Sequence, residues 1–474
     1  MELLYDFQVP HVRKLLGVLE HRVTAGDFSD PGTGKTMSAC VCARELDLDI
    51  FILCPKPTLT NWFETAELVG NRVLGAINYE SALRGNYYTC VEDYIAEDRE
   101  NCPYINVVRD EDGTVINFEF PPCLLVIDEA HRTNNYSTLH AKLMNAALRS
   151  PVKKLILSGT MADNLLSFRN AATALGVCPT GKRAYSLWLS RIGKTPEALH
   201  ASVLPYSSRM RKSDIAVFQP ENVHARVFEV NPEIEAEIEA AYADIDQALR
   251  EIRDGVGDNP LVKLLRARQR IELLKIPTMV MDTMERVDSG QSVAIFVNFT
   301  QTLTQIFAQL TEFAEEHDTY LTQICGGQTP EDRDYNVKSF TDDRSRIMIA
   351  NIQAGGEGIS LPDINGVHRK SSLISPPWSS IRLKQTIARI NRANSVSPTE
   401  VVVVYIKGKT RDHDGNDALF NDPRKGGAAV PANANNAVPA GKVGVEELLA
   451  INMNKKLLTM ELINNGDNRD HIVI

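Results

Sequence analysis

The chain has no stretch of apolar residues approaching the roughly 20 needed to cross a bilayer, and Met1-Glu-Leu-Leu-Tyr-Asp6 lacks a basic start followed by an apolar run. A membrane span and a secretory leader are therefore not expected, and a soluble cytoplasmic protein is. An excess of positive charge is also missing. With 51 Lys and Arg against 61 Asp and Glu, the net charge is -10, which argues against binding to nucleic acid through overall basicity but leaves room for a local basic channel. The eight cysteines, at 40, 42, 54, 90, 102, 123, 178 and 325, show no pair of metal-binding spacings, because the gap in Cys40-Val-Cys42 is too short and no second pair answers it. Buried thiols are expected instead. No carboxylate cluster of nuclease type stands out.

What is present is the composition of a folded protein, 43% apolar and 24% charged over 474 residues, too long for one ordinary core. Residues 1–215 alternate short apolar strands (51–55, 123–127, 154–157) with helical stretches (36–45, 138–149), the pattern of a parallel sheet with crossover helices. Between 91 and 122 an acidic excursion carries an Asp112-Gly113 hairpin signal, so a small β-insertion is expected there. Residues 216–285 read as a helical linker or insertion. The α/β pattern returns over 286–412, with strands at 292–297, 346–350 and 401–405 and a helix over 301–315. Residues 413–474 read as a flexible Gly/Ala/Asn/Pro segment and an amphipathic helix over 443–462 that docks on a lobe or holds a protein partner.

Two segments carry chemistry. In Ser29-Asp-Pro31-Gly32-Thr33-Gly34-Lys35-Thr36 the glycines let the backbone curl so that successive amides face phosphate oxygens, Lys35 reaches the β- and γ-phosphates, and Thr36 offers its hydroxyl to Mg²⁺. In Leu124-Leu-Val-Ile-Asp128-Glu129 an apolar strand ends in adjacent carboxylates. Asp128 is expected to hold Mg²⁺ through water and Glu129 to polarise an attacking water. The 286–412 unit has no phosphate loop of its own but carries Gln385, Arg389 and Arg392 at spacings of four and three, which predicts one face of a helix. Two cations on such a face suit charge developing on a γ-phosphoryl group, with an ordinary solvated cationic face as the alternative reading of the spacing alone.

Asp128-Glu-Ala-His131 resembles the signature box of superfamily 2 helicases, and further segments are similar to the Swi2/Snf2 branch. These are Cys54 to Trp62, Asn78-Tyr79-Glu80, Leu157 to Asn164, Tyr206 to Asp214, Gly355 to Asp363 and Pro376-Pro-Trp378. The branch generally has Pro after the Thr160 position, where this chain has Met161. The resemblance covers about residues 4–408 and implies two tandem RecA-like lobes with a helical insertion and a C-terminal helix. It implies Gln8 at the adenine edge, Gly358 and Gln385 near the nucleotide, Arg392 as the principal finger with Arg389 as its partner, and ATP with Mg²⁺ as the ligands. It also implies a nucleic-acid path along Lys56, Asn61, Trp62, Tyr79, Thr160, Asn164, Arg209, Arg211 and Ser360. The track it implies is DNA, double-stranded or branched, in replication, recombination or repair, in a compact phage or bacterial protein. RNA is the alternative track, and a nucleotide-dependent switch acting through a partner is the alternative class.

Overall fold

The computed structural model describes residues 1–110, 113–134, 138–257, 259–355, 358–407, 411–413, 441–443 and 445–474. The chain forms two compact units, Met1–Phe218 with Leu458–His471, and Gln219–Leu457 with Ile472–Ile474.

The first unit is built on a parallel sheet of β1 (Thr24–Asp27), β2 (Asp49–Cys54), β3 (Val73–Asn78), β4 (Cys123–Ile127), β5 (Lys153–Leu157) and β6 (Ser207–Ser208), in the order β6-β1-β5-β4-β2-β3. The central strands are apolar on both faces because helices cover both. Every residue of Cys123–Ile127 is buried. One face packs under α1 (Gln8–His21), α2 (Lys35–Glu45) and α3 (Leu59–Val69), where Leu15, Val41, Trp62 and Ile52 meet. The other packs under α4 (Leu139–Arg149), where Leu143, Met144, Leu125 and Ile156 meet. Thr138 starts α4 as its N-cap, accepting from the Ala141 amide. The expected insertion is a hairpin, Ile105–Asp110 paired antiparallel with Gly113–Phe118.

The second unit repeats the design with β7 (Glu221–Phe228), β8 (Ser292–Val297), β9 (Tyr320–Ile324), β10 (Ser345–Asn351), β11 (Lys370–Ile374) and β12 (Thr399–Ile406), parallel in the order β7-β12-β11-β8-β10-β9. Each unit is thus an α/β lobe built on a six-stranded parallel sheet. Of the span 216–285, expected as a helical linker or insertion, residues 219–285 are part of the second lobe. Its first strand, β7, pairs with β12 along all eight residues. Its helices α5 (Pro232–Asp254), α6 (Pro260–Leu274) and α7 (Ile276–Asp288) contribute Tyr242, Ile271 and Met279 to the lobe's cores. A run of helical sequence reads as a linker because periodicity cannot show that a strand precedes it and docks at the sheet edge.

The expected flexible segment falls outside the described residues, apart from Arg411–His413 pairing antiparallel with Gly441–Val443. The last helix, Val445–Asn465, runs further than the sequence suggests. Among the described residues no helix is long and apolar enough to cross a membrane. Six of the eight cysteines are buried, at 40, 42, 54, 102, 123 and 178.

Candidate active site

In the first lobe, Ser29–Thr36 joins β1 to α2. Gly32 and Gly34 both take positive φ, 89° and 85°, conformations that cost an L-residue with a Cβ and that allow the loop to close at the helix start. At Gly34 space is the second reason, because a Cβ there would stand 2.3 Å from Gln8 Nε2. Gln8 is buried. Its Nε2 donates to the Thr33 carbonyl at 3.0 Å and its Oε1 accepts from the Tyr5 amide at 3.0 Å, so the side chain expected at the adenine edge also braces the loop. Lys35 Nζ folds back to the carbonyls of Ser29 (3.0 Å) and Asp30 (3.3 Å).

Beneath the loop lies a buried pair that sequence reasoning missed. Asp27, the last residue of β1, accepts from the Ser29 amide at 3.0 Å and faces His11 Nε2 at 3.0 Å. Burial pushes its carboxyl up, but His11, Lys35 and Ser29 outweigh burial and hold it below the ordinary value. The sequence signal was a carboxylate closing a short strand directly before the loop.

At the end of β4, Asp128 is nearly enclosed. Trp62 Nε1 donates to its Oδ2 at 3.0 Å, the Glu129 amide donates to its Oδ1 at 2.9 Å, and the Tyr79 hydroxyl donates to its carbonyl at 2.6 Å. Burial and the neighbouring Glu129 charge push its carboxyl up to about 6, against the Trp62 bond and Lys35. Glu129 sits in the left-handed region at φ 49°, ψ 47°, and its Oε2 lies 3.1 Å from His131 Nδ1. The same nitrogen lies 3.1 Å from Ser158 Oγ, which accepts from the Thr160 amide at 3.3 Å. A continuous polar chain thus runs from the acid pair to residues 158–160.

That segment also supports the Ser29–Thr36 loop. Ser158 N donates to Asp27 O at 3.1 Å, and a Cβ on Gly159 would lie 2.7 Å from Pro31 Cδ and 2.9 Å from the Ser29 carbonyl. Since one of those atoms is backbone, Gly159→Ala must displace the loop. ATP KM is expected to rise about tenfold while the thermal midpoint falls by the equivalent of about 1–3 kcal/mol. Steady-state kinetics beside a melting curve check this, and an unchanged KM would refute it.

The residues expected along a nucleic-acid path divide in two. Lys56 and Asn61 are accessible, Lys56 Nζ on Glu97 Oε1 at 2.8 Å and Asn61 Nδ2 3.5 Å from Thr36 Oγ1. Asn164 is half-buried, its Oδ1 accepting from the Ser167 amide at 2.9 Å. Trp62 and Tyr79, however, are 0% exposed with their polar atoms spent on Asp128, so here they position an acid rather than offer a surface to a strand. Thr160 is buried as well. Arg209 and Arg211 are occupied by carboxylates: Arg209 Nη2 on Asp30 at 2.5 Å, Arg211 on Asp467 and Asp470.

In the second lobe, Gly358 (φ 76°) and Ser360 are exposed, while Gly356 and Glu357 lie outside the described residues. Gln385 is buried on the helix Ser380–Ile387. That helix ends before the arginines, which corrects the expectation of one helical face. The Arg389 carbonyl accepts instead from the Leu361 amide at 2.9 Å, and the Arg392 amide donates to Ser395 Oγ at 3.0 Å. The two guanidiniums still converge, by another route: Arg389 Nη1 and Arg392 Nη2 both donate to the Ile359 carbonyl, at 3.0 and 3.2 Å.

Residues 275–394 match the family described as the helicase conserved C-terminal domain. A curated protein of Acanthamoeba polyphaga mimivirus, provisionally named an ATP-dependent RNA helicase, is 26% identical over 501 residues, covering 99% of this chain and 85% of that one. Among solved structures, the Sulfolobus solfataricus SWI2/SNF2 ATPase core in complex with double-stranded DNA aligns at 16% identity and TM-score 0.34, over 84% of this chain and 87% of that one. S. cerevisiae Dbp5 bound to RNA and ADP BeF3 aligns at 12% identity and TM-score 0.42, over 87% and 84%.

Proposed function

We propose that this chain, an ATP hydrolase of the superfamily 2 helicases, is a motor that moves along double-stranded or branched DNA. The observation that carries the motor reading is the linkage within the first lobe. Residues 158–160 are in van der Waals contact with the loop through Gly159, and His131, which meets Ser158 Oγ at 3.1 Å, stands 3.1 Å from the Glu129 carboxylate, so a change at the phosphates has a short physical route through His131 and Ser158 to Thr160.

The residues of the loop and of β4 fit ATP with Mg²⁺. Lys35 Nζ rests on two carbonyls that a phosphate can replace, and the buried Asp128 carboxylate, unfavourable as an isolated charge, suits a nearby divalent cation. Held by Thr36 and Asp128, Mg²⁺ would supply positive charge against the phosphates. Lys35 would hold the β- and γ-phosphates, and Thr36 and Asp128 would hold the metal, Asp128 through water. Glu129 orients the attacking water, with His131 fixing its carboxylate. Arg389 and Arg392 serve as the cations for the transferring phosphoryl group.

DNA as the track follows from the resemblance of Cys54 to Trp62, Leu157 to Asn164 and Pro376-Pro-Trp378 to the double-strand translocases. A second reading, RNA as the track, is favoured by the name of the mimivirus relative. ATP turnover measured at one stated salt concentration with no nucleic acid, duplex DNA, single-stranded DNA, forked DNA and RNA decides between them. Duplex or forked DNA is expected to stimulate turnover most. A preference for RNA would replace the track, and no stimulation by any of the four nucleic acids would sink the motor reading.

A further inference from the structure

The polar stretch after the last helix lies against the first lobe, beside the phosphate loop. Asn464 is buried and its Nδ2 donates to the Gly159 carbonyl at 3.3 Å. His200 Nδ1 lies 3.1 Å from the Ile463 carbonyl. Gly466, at φ 74°, turns the chain just past the helix end, where a Cβ would strike the His200 ring at 2.7 Å. Beyond the turn, Asp467 takes Arg211 with both oxygens, Arg211 Nε faces Asp470 at 3.0 Å, and Arg469 Nη2 reaches Asp214 at 2.7 Å.

Arg209 is where this stretch meets the ATP site. Its guanidinium donates in three directions: to Asn465 Oδ1, to the Phe28 carbonyl, and to Asp30 Oδ1 at 2.5 Å. Asp30 belongs to the phosphate loop. Its other carboxylate oxygen accepts from the Lys212 amide at 3.0 Å, its amide donates to the Met210 carbonyl at 2.9 Å, and its own carbonyl receives Lys35 Nζ and the Thr33 hydroxyl. The Arg209 and Asp30 side chains are only 10% and 13% exposed, so the pair is screened little by solvent. The geometry of Asp30 sets where Lys35 and the following amides stand, and the geometry of Arg209 sets Asp30.

We infer that Ile463–Asp470 is a built-in prop of the ATP site, in which Asn465 and Asp467 are positioning residues that hold Arg209 and Arg211 and through them fix the phosphate loop for nucleotide. The inference rests on the reading of Ser29–Thr36 as the phosphate-binding loop. Arg209 and Arg211, engaged in this way, act inside the lobe and not on a nucleic-acid backbone. A strap that merely stabilises the lobe would give a different result on mutation, since stability would fall and nucleotide affinity would not.

The test uses the full chain carrying Asn465→Ala with Asp467→Asn, and as a second variant the exchanged pair Arg211→Asp with Asp467→Arg beside Asp467→Arg alone. Asp467 is half-exposed, so its substitutions leave the core intact. The Kd of a fluorescent ADP analogue with Mg²⁺ and the KM for ATP are expected to rise together about fivefold in the double variant. kcat at saturation should stay within about twofold, the pattern of lost ground-state binding. Amide exchange over residues 28–36 should quicken. Asp467→Arg alone should weaken binding most and the exchanged pair should recover part of it. Unchanged Kd and loop exchange in these variants would overturn the inference, as would a rise in nucleic-acid-stimulated turnover at constant Kd, which would make the stretch a competitor for backbone phosphate. Lys35→Ala keeps the two readings apart. If that variant still hydrolyses ATP the loop reading itself fails, whereas a dead Lys35→Ala with an indifferent tail sinks the prop alone.

Discussion

Glu129→Gln is expected to lower kcat for ATP hydrolysis by about 10²–10⁴-fold while leaving nucleotide Kd within a factor of about two. The side chain is held for one task. Its backbone occupies the left-handed region at φ 49°, a conformation costing a non-glycine residue on the order of 1–3 kcal/mol, and its Oε2 lies against His131 Nδ1 at 3.1 Å. Glutamine has the same shape and can still meet His131, but it cannot take a proton from water or polarise it as a carboxylate does. Asp128 keeps its bonds from Trp62 and the residue-129 amide, so metal and nucleotide should still bind. Rapid-quench turnover paired with equilibrium binding reads both quantities. A variant keeping more than about a tenth of the wild-type rate would exclude Glu129 as the water-orienting group.

The acid pair and the Ser29–Thr36 loop stand out in the sequence because the chemistry expected of them constrains residue type at fixed spacing. A loop that points amides at phosphate needs Gly32 and Gly34, and an acid at a sheet edge needs an apolar strand before it. The sheets were legible for a related reason: strands buried on both faces are written as continuous runs such as Cys123–Ile127 and Ser292–Val297. Partnerships across long sequence separations leave no such trace. Trp62 lies in a segment similar to one that borders nucleic acid, yet its indole N–H is spent on Asp128, 66 positions away. Arg209 and Arg211 look like a cationic surface run until Asn465, Asp467 and Asp470 are placed beside them. The strand Glu221–Phe228 was invisible for another reason: its residues are mostly half-buried or exposed at the sheet edge, so it carries no apolar run.

The arginines of the second lobe should separate into two behaviours on substitution. Periodicity would have made Arg389 and Arg392 equivalent neighbours on a helix, but backbone groups beyond Ile387 are claimed by Leu361 and Ser395, and a helix cannot continue once its carbonyls and amides are bonded elsewhere. Arg389 is only 6% exposed, donates to the Ile359 carbonyl at 3.0 Å and accepts from Leu361 at its own carbonyl. Arg389→Ala therefore removes a buried donor and packing as well as a charge, and should lower both turnover and the thermal midpoint, the latter by the equivalent of about 1–3 kcal/mol. Arg392 is less enclosed and bonds the same carbonyl at a longer 3.2 Å, which leaves its guanidinium more readily exchanged from Ile359 to a phosphate oxygen. Arg392→Ala should lower kcat by about 10³-fold or more, in the range of arginine fingers, with little change in melting. Arg392→Lys should recover only part of that rate, because an ammonium keeps the charge and loses the planar fork. Turnover and melting curves on the three variants test the division. A fully active Arg392→Ala would remove this residue from phosphoryl transfer, and an Arg389→Ala protein that is inactive but melts unchanged would make Arg389 the finger instead.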